Sequence, residues 1–288
     1  ERKIYEFFVK YRQAFAAFGI AVFFLGLVIA GVAIYNGLFD YDVVYYEQGD
    51  PAVELDGQGC NTLGLNLHGS IYTYIPMQGV GEDTVPLFDD AVASEDIIAG
   101  INLAQQSSTI RAIMLEVDSG GGEPVAGEEI ANALRGFDGV TVSVIRQMGA
   151  SAAYWAATGA DRIFASQNSD VGGIGVTSSY VENIESGSRY INLSAGKFKD
   201  SGDPEKPITE EERNLFMRDI NIIYENFIQA IAQNRNLEIE KVRALADGST
   251  VLGAQAKEFG LIDEIGSWTE ARKYLEQELG EAPVICWQ

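Results

Sequence analysis

One histidine, His68, and two cysteines, Cys60 and Cys286, are all that this 288-residue chain contains of those residue types. The cysteine pair lacks the clustered spacing of a zinc site, is too small for a disulfide framework and forms no CxxC redox motif. Cations are scarce too: 20 Lys and Arg stand against 42 Asp and Glu, a formal charge of −22. Nucleic-acid binding is driven by Lys and Arg contacts to phosphate, so no nucleic-acid partner is expected. Neither GxGxxG nor a P-loop pattern occurs, so nothing indicates a nucleotide-cradling loop. Internal repeats and low-complexity tracts are missing as well. What is there is 47% hydrophobic and 22% charged, the composition of a folded protein with one large domain or two small ones.

Charge is also absent from Gln13 to Phe39, and Ala14 to Tyr35 is almost wholly apolar. That run exceeds the roughly 20 residues needed to cross a bilayer core, and the apolar part of a cleaved signal peptide is shorter, about 7–15 residues. Arg2, Lys3, Lys10 and Arg12 precede the run; Asp40, Asp42, Glu47 and Asp50 follow it. The positive-inside rule then predicts a single-pass protein of the cytoplasmic membrane with its N-terminus in the cytoplasm. The expected organisation is a cytoplasmic segment 1–13, a transmembrane helix 14–35, an acidic linker 36–62 and an extracytoplasmic domain 63–288.

Within that domain, strands alternate with helices. Leu63 to Ile75, Ile110 to Val117, Val140 to Ile145 and Arg162 to Ala165 read as strands, with Tyr190 to Leu193 a further candidate. Ser94 reads as the cap of a helix through Gln106, and Pro124 opens another through Leu134. Ala152 to Gly159 reads as a tightly packed helix. Thr209 and Glu212 have capping-box spacing at the head of a long helix whose apolar stripe is Leu215, Phe216, Ile220, Ile223, Phe227 and Ile231. Shorter helices over 239–246, 253–259 and 268–279, and a closing strand within 282–287, complete an α/β domain with mainly parallel pairing.

Two stretches carry chemistry. Ser151 lies at a strand-to-helix turn, where backbone N–H groups can hold a developing oxyanion. The glycine run Asp118-Ser119-Gly120-Gly121-Gly122 ends the preceding strand, so both face the crevice at the strand ends where ligands bind in parallel sheets. Glycines there let a backbone N–H approach a reacting carbonyl, although an ordinary tight turn would use them too. A nucleophilic serine needs a base. His68 is the only histidine available, and it reads better as a structural residue; a desolvated lysine is the stronger choice, since burial lowers its pKa toward neutrality.

The runs DSGGG, GASAAYW, VGGIGV, SAGKFKD, TEEERNLF and AKEFGLIDEIG, in that order, resemble the S49 family of signal peptide peptidases (SppA type) over about residues 63–268. The resemblance implies a crotonase/ClpP-like fold and a Ser/Lys dyad protease. Ser151 takes the nucleophile's place and Lys199 the general base's, with Lys197 its rival on the same face of an extended segment. The backbone N–H groups of Gly121, Gly122 and Ala152 would form the oxyanion hole. Gly120 stands where the family usually has proline, and VGGIGV where TGSIGV is common; both bear on efficiency rather than reaction class. The implied function is a membrane-anchored endopeptidase for signal-peptide remnants or other short hydrophobic peptides. It would be active as a homo-oligomeric ring in which neighbouring protomers supply Ser and Lys, with no cofactor or metal. The alternatives are a non-catalytic oligomeric scaffold and a crotonase-fold acyl-CoA enzyme. If the domain is extracytoplasmic, Cys60 and Cys286, which flank it, form either one disulfide closing a long loop or two free thiols.

Overall fold

A computed structural model describes residues 43–44, 59–78, 85–88, 90–179, 197–204 and 206–288. The expected transmembrane helix 14–35 and the strand candidate Tyr190–Leu193 lie outside them. The strands are β1 (Val43–Val44), β2 (Thr62–Tyr72), β3 (Met77–Gln78), β4 (Val85–Pro86), β5 (Ala91–Ala93), β6 (Ala112–Gly122), β7 (Val140–Ala150), β8 (Arg162–Ala165), β9 (Asp170–Gly172), β10 (Thr250–Leu252), β11 (Glu264–Ile265) and β12 (Ile285–Trp287). The helices are α1 (Ser94–Gln106), α2 (Pro124–Arg135), α3 (Ala152–Ala157), α4 (Glu210–Asn234), α5 (Ile239–Leu245), α6 (Gly253–Phe259) and α7 (Trp268–Leu279). They fall into two units. The smaller, Glu1–Glu47 with Pro76–Leu87, holds an antiparallel sheet in the order β1-β3-β4. The larger, Gln48–Ile75 with Phe88–Gln288, holds all the rest.

The larger unit is built on three parallel 11-residue strands, β2, β6 and β7, at the centre of a nine-stranded sheet. Their register slips between His68 and Ser70 and again between Val117 and Ser119. Each outer member of the trio changes partner across that break. β2 pairs with β12 over its first residues and with β5 over its last. β7 pairs with β8 at Val142–Ile145 and with β9 at Met148–Ala150. The slips are bulges, which bend a strand and re-aim its side chains.

This corrects two of the expected boundaries. The glycine run after Val117 is no tight turn: β6 continues to Gly122, and β7 continues to Ala150. Glycine breaks strands when nothing pairs with them. Here Ser70 and Ile71 of β2 pair with Gly121 and Gly122, and Ser119 pairs with Gly149 of β7. Ser94 is not a cap either; Ala93 holds that position, and the Ser94 hydroxyl donates to the Thr73 carbonyl while also bonding Glu129.

Alternation along the strands separates two apolar faces. Leu63, Leu65, Leu67, Ile113, Leu115 and Val117 face a layer that includes Ile97 and Ile101 of α1, Ile130 and Leu134 of α2, the whole of α3, and Phe227, Ile228 and Ile231 of α4. Ala112, Met114, Val142, Val144 and Phe164 face Ala271 and Leu275 of α7. The helix α3 can lie so deep because its neighbour is bare at the crossing: a Cβ on Gly127 would sit 2.5 Å from the Ala152 carbonyl oxygen. Cys60 and Cys286 form a disulfide with Cα atoms 5.9 Å apart, fastening β12 to the head of β2 across 226 positions of sequence.

Candidate active site

Ser151 occupies the single residue between β7 and α3, with φ 54 and ψ −129. A non-glycine residue at such φ costs about 1–3 kcal/mol and persists only where the surroundings hold it. The hold here is explicit. The Ser151 N–H donates to the Gly172 carbonyl at 2.8 Å, and the Ser151 carbonyl accepts from the Trp155 N–H at 3.0 Å. Behind it α3 is wholly buried, with the Tyr154 hydroxyl donating to the Leu261 carbonyl at 2.7 Å and Trp155 stacked on Phe227 at 4.8 Å. Burial pushes the Tyr154 phenol well above its ordinary pKa, so it stays a neutral donor.

The end of β6 lies directly against this junction. Gly121 has φ +105, and a Cβ there would be 2.8 Å from Ser151 Cβ. Gly122 is pressed on β2, where a Cβ would meet the Ile71 carbonyl oxygen at 2.0 Å. Ser119, 3% exposed, pins the run: its hydroxyl donates to the Gly69 carbonyl at 2.6 Å and accepts from the Gly121 N–H at 3.0 Å. One buried hydroxyl thereby joins the two bulged strands at their bends.

A cavity of about 640 Å³ opens beside Ser151. Gly120, Gly122, Pro124, Ser151 and Ala152 form one side. Gly173, Gly175, Val176 and Thr177 come from the loop after β9, and Ala246, Asp247 and Gly248 from the turn after α5. Trp155 and the α4 residues Met217, Ile220, Asn221, Tyr224 and Phe227 complete the wall. Ser151, Gly122 and Ala152 therefore share one cavity. Gly121 is not among the lining residues, and its N–H is already taken by Ser119.

The other expected residues are placed elsewhere. Lys199 is exposed and does not line the cavity. Lys197, the rival base, pairs with Glu211 at 2.8 Å and lies over the Phe198 ring, also away from the cavity. His68 Nε2 meets Glu116 Oε1 at 3.0 Å, while Arg146 Nη1 meets Glu116 Oε2 at 2.8 Å. That bridge cross-links β2, β6 and β7 around a carboxylate side chain only 9% exposed, and it leaves His68 outside the cavity as a structural residue. Sequence reasoning missed Met217, Asn221, Tyr224 and Asp247 as cavity residues. The apolar stripe of α4 was the one signal available, since Ile220 and Phe227 of that stripe both face the cavity.

Residues 140–281 match the model of peptidase family S49. The chain is 34% identical over 179 residues to a provisionally named protease of Methanocaldococcus jannaschii, covering 60% of this chain and 58% of that protein. It is 30% identical over 207 residues to a provisionally named signal peptide peptidase, SppA, of Enterococcus faecium, covering 66% of this chain and again 58% of the relative. The chain thus spans a little over half the length of these two relatives. Among solved structures, a point mutant of ClpP1 from Listeria monocytogenes is similar over 72% of this chain and 92% of that one, with a TM-score of 0.47 and 16% identity.

Proposed function

We propose that this chain, which belongs to peptidase family S49, is a serine endopeptidase that works through an acyl-enzyme on Ser151. The observation that carries the reading is the strained Ser151 junction on the wall of a cavity that Ala152 and Gly122 also line. In this scheme the Ser151 hydroxyl attacks a peptide carbonyl bound in the cavity. The negative charge that develops on the carbonyl oxygen is received by the N–H groups of Ala152 and Gly122, each properly placed donor being worth roughly 3–4 kcal/mol of barrier. Gly121 can join them only by releasing Ser119.

Lys199 takes the serine proton, returns it to the leaving amine and then activates the water that frees the acyl group. Its exposure, away from the cavity of its own protomer, supports a base delivered to the Ser151 of a neighbour in a homo-oligomeric ring. The apolar run 14–35 supports a single-pass anchor, with the peptidase domain 63–288 outside the cytoplasm. The apolar members of the wall, Trp155, Met217, Ile220 and Phe227, support hydrophobic peptides, signal-peptide remnants among them, as substrates. We read the larger unit as a crotonase/ClpP-like fold on its parallel β2-β6-β7 core with the nucleophile at the head of a buried helix.

The test is labelling by a serine-directed fluorophosphonate, located by mass spectrometry, in the parent protein and in Ser151→Ala, Lys199→Ala, Lys197→Ala and His68→Ala. Label on Ser151 that requires Lys199 and survives the other two substitutions is the expected result. Label that survives Lys199→Ala moves the base to another residue. An assembled oligomer that takes no label overturns the protease reading in favour of a scaffold.

A further inference from the structure

Along α4 the cavity beside Ser151 is lined by Met217, Ile220, Tyr224 and Phe227 with one amide, Asn221, and among the described residues its lining has one acidic residue and no basic one. That residue is Asp247. The turn bearing it is tied down on two sides. Tyr224 donates its hydroxyl to the Ala246 carbonyl at 2.6 Å, which fixes the turn to α4. The Gly248 N–H donates to the Ile174 carbonyl, and the Gly173 N–H to the Ser249 carbonyl, both at 3.1 Å, which fixes it to the loop beside Ser151.

The carboxylate is equally well defined. Asp247 Oδ1 accepts from the Ser249 N–H at 2.9 Å and from the Ser249 hydroxyl at 2.6 Å. Those bonds, the hydroxyl's first, hold the carboxyl below its usual pKa, so it remains charged in mildly acidic solution. Among the described residues both bonds fall on Oδ1. Oδ2 takes part in neither bond.

We propose that Asp247 is a specificity-determining residue that selects peptides whose acyl-side residue is lysine or arginine over those with an apolar residue of equal length. Such side chains carry a long apolar stem and a charged tip. The stem matches the wall of Met217, Ile220 and Tyr224, and the tip matches the carboxylate at the turn. Asp247 is exposed, so the gain is that of a solvated ion pair, about fivefold in selectivity rather than a thousandfold. The inference rests on the Ser151 protease reading and refines its substrate class.

The experiment uses the full chain in detergent and fluorogenic peptides that differ only at the acyl-side residue: lysine, norleucine or glutamate. The kcat/KM ratio of lysine to norleucine is compared between the parent and Asp247→Asn. Asparagine keeps the Oδ1 acceptor for Ser249 and removes only the charge. The expected result is a ratio about fivefold lower in the variant, with glutamate correspondingly less disfavoured. As a check that needs no variant, the parent's ratio is expected to fall between 0.05 and 0.5 M salt, roughly the range over which screening removes exposed pairs. A ratio that neither the substitution nor salt alters, in protein whose Ser151 takes the fluorophosphonate, overturns this inference and leaves the protease reading standing. Absence of both cleavage and labelling in the parent overturns the two together.

Discussion

Alanine at position 121 is expected to disable Ser151 while leaving both side chains of the proposed dyad chemically unaltered. Gly121 has φ +105, and holding alanine there costs about 1–3 kcal/mol. The new Cβ would lie 2.8 Å from Ser151 Cβ, 2.9 Å from the Ala150 carbonyl oxygen and 3.0 Å from the Ala152 nitrogen. All three atoms belong to the junction that presents the nucleophile and its neighbouring amide, and backbone cannot swing aside as a flexible side-chain tip does. Overpacking of this kind adds about 1–3 kcal/mol. Relief comes by pushing the junction outward, and misplacement on the order of 1 Å can lower a rate about 10²-fold. Gly136 supplies the control. Its φ is −84, and a Cβ would meet nothing closer than 3.4 Å, so Gly136→Ala is expected to stabilise by about 0.4–1 kcal/mol. The assay pairs urea unfolding with the second-order rate of fluorophosphonate labelling at Ser151. Gly121→Ala protein that labels at the parent rate and unfolds at the parent midpoint refutes the reasoning.

Three further outcomes follow from contacts already described or adjoining them. Glu212 caps α4 by accepting from the Thr209 N–H at 2.8 Å, Lys206 at 2.9 Å and the Thr209 hydroxyl at 2.7 Å, and these bonds hold its pKa at about 2 instead of 4.5. Because the folded value is the lower one, the stabilisation is complete above pH 4.5 and is lost as pH falls through about 2. The gap in urea midpoint between parent and Glu212→Gln should therefore close over that window; a gap independent of pH contradicts the assignment. Replacing both Cys60 and Cys286 by alanine opens a 226-residue closure and is expected to cost about 3–5 kcal/mol, read as a lower urea midpoint that reductant no longer affects. Ser119→Ala leaves the Gly69 carbonyl and the Gly121 N–H without their partner, and a loss of about 1–3 kcal/mol with slower Ser151 labelling is expected. Unchanged stability would mean that water replaces the hydroxyl there.

What the sequence made legible was mostly local. The capping box of Thr209 and Glu212 heads α4 as its spacing predicts, Pro124 opens α2, and α6 and α7 have their expected bounds. Such signals depend on residues a few positions apart, and at these positions the local partners are kept. The strand ends were misjudged for the opposite reason: whether Gly120 to Gly122 turn or extend is decided by β2, some fifty positions away. Ser94 fails as a cap because Thr73 and Glu129, distant in sequence, compete for its hydroxyl. The α4 stripe was seen but taken as a single surface. In the fold Ile228 and Ile231 are buried away from the cavity, Met217, Ile220 and Tyr224 turn to it, and Phe227, though buried, lines it as well. Helical periodicity reports which residues avoid water on one side and does not say whether protein or an open cavity lies there. Lys199 was identified by its place in a motif, and a motif position does not encode which residues line the cavity, from which Lys199 is absent.

The disulfide has a mechanical consequence. Residues 60 and 286 are held with their Cα atoms 5.9 Å apart, so the entry to β2 and the end of β12 are tied at one spot. Tension applied between those ends runs through a single covalent link and stops there. The 226 positions of chain between them, with Ser151 and its glycine run, hang outside the line of force like a loop below a knot. A pull between those two ends is thereby kept from shearing β6 against β7, where the nucleophile is held.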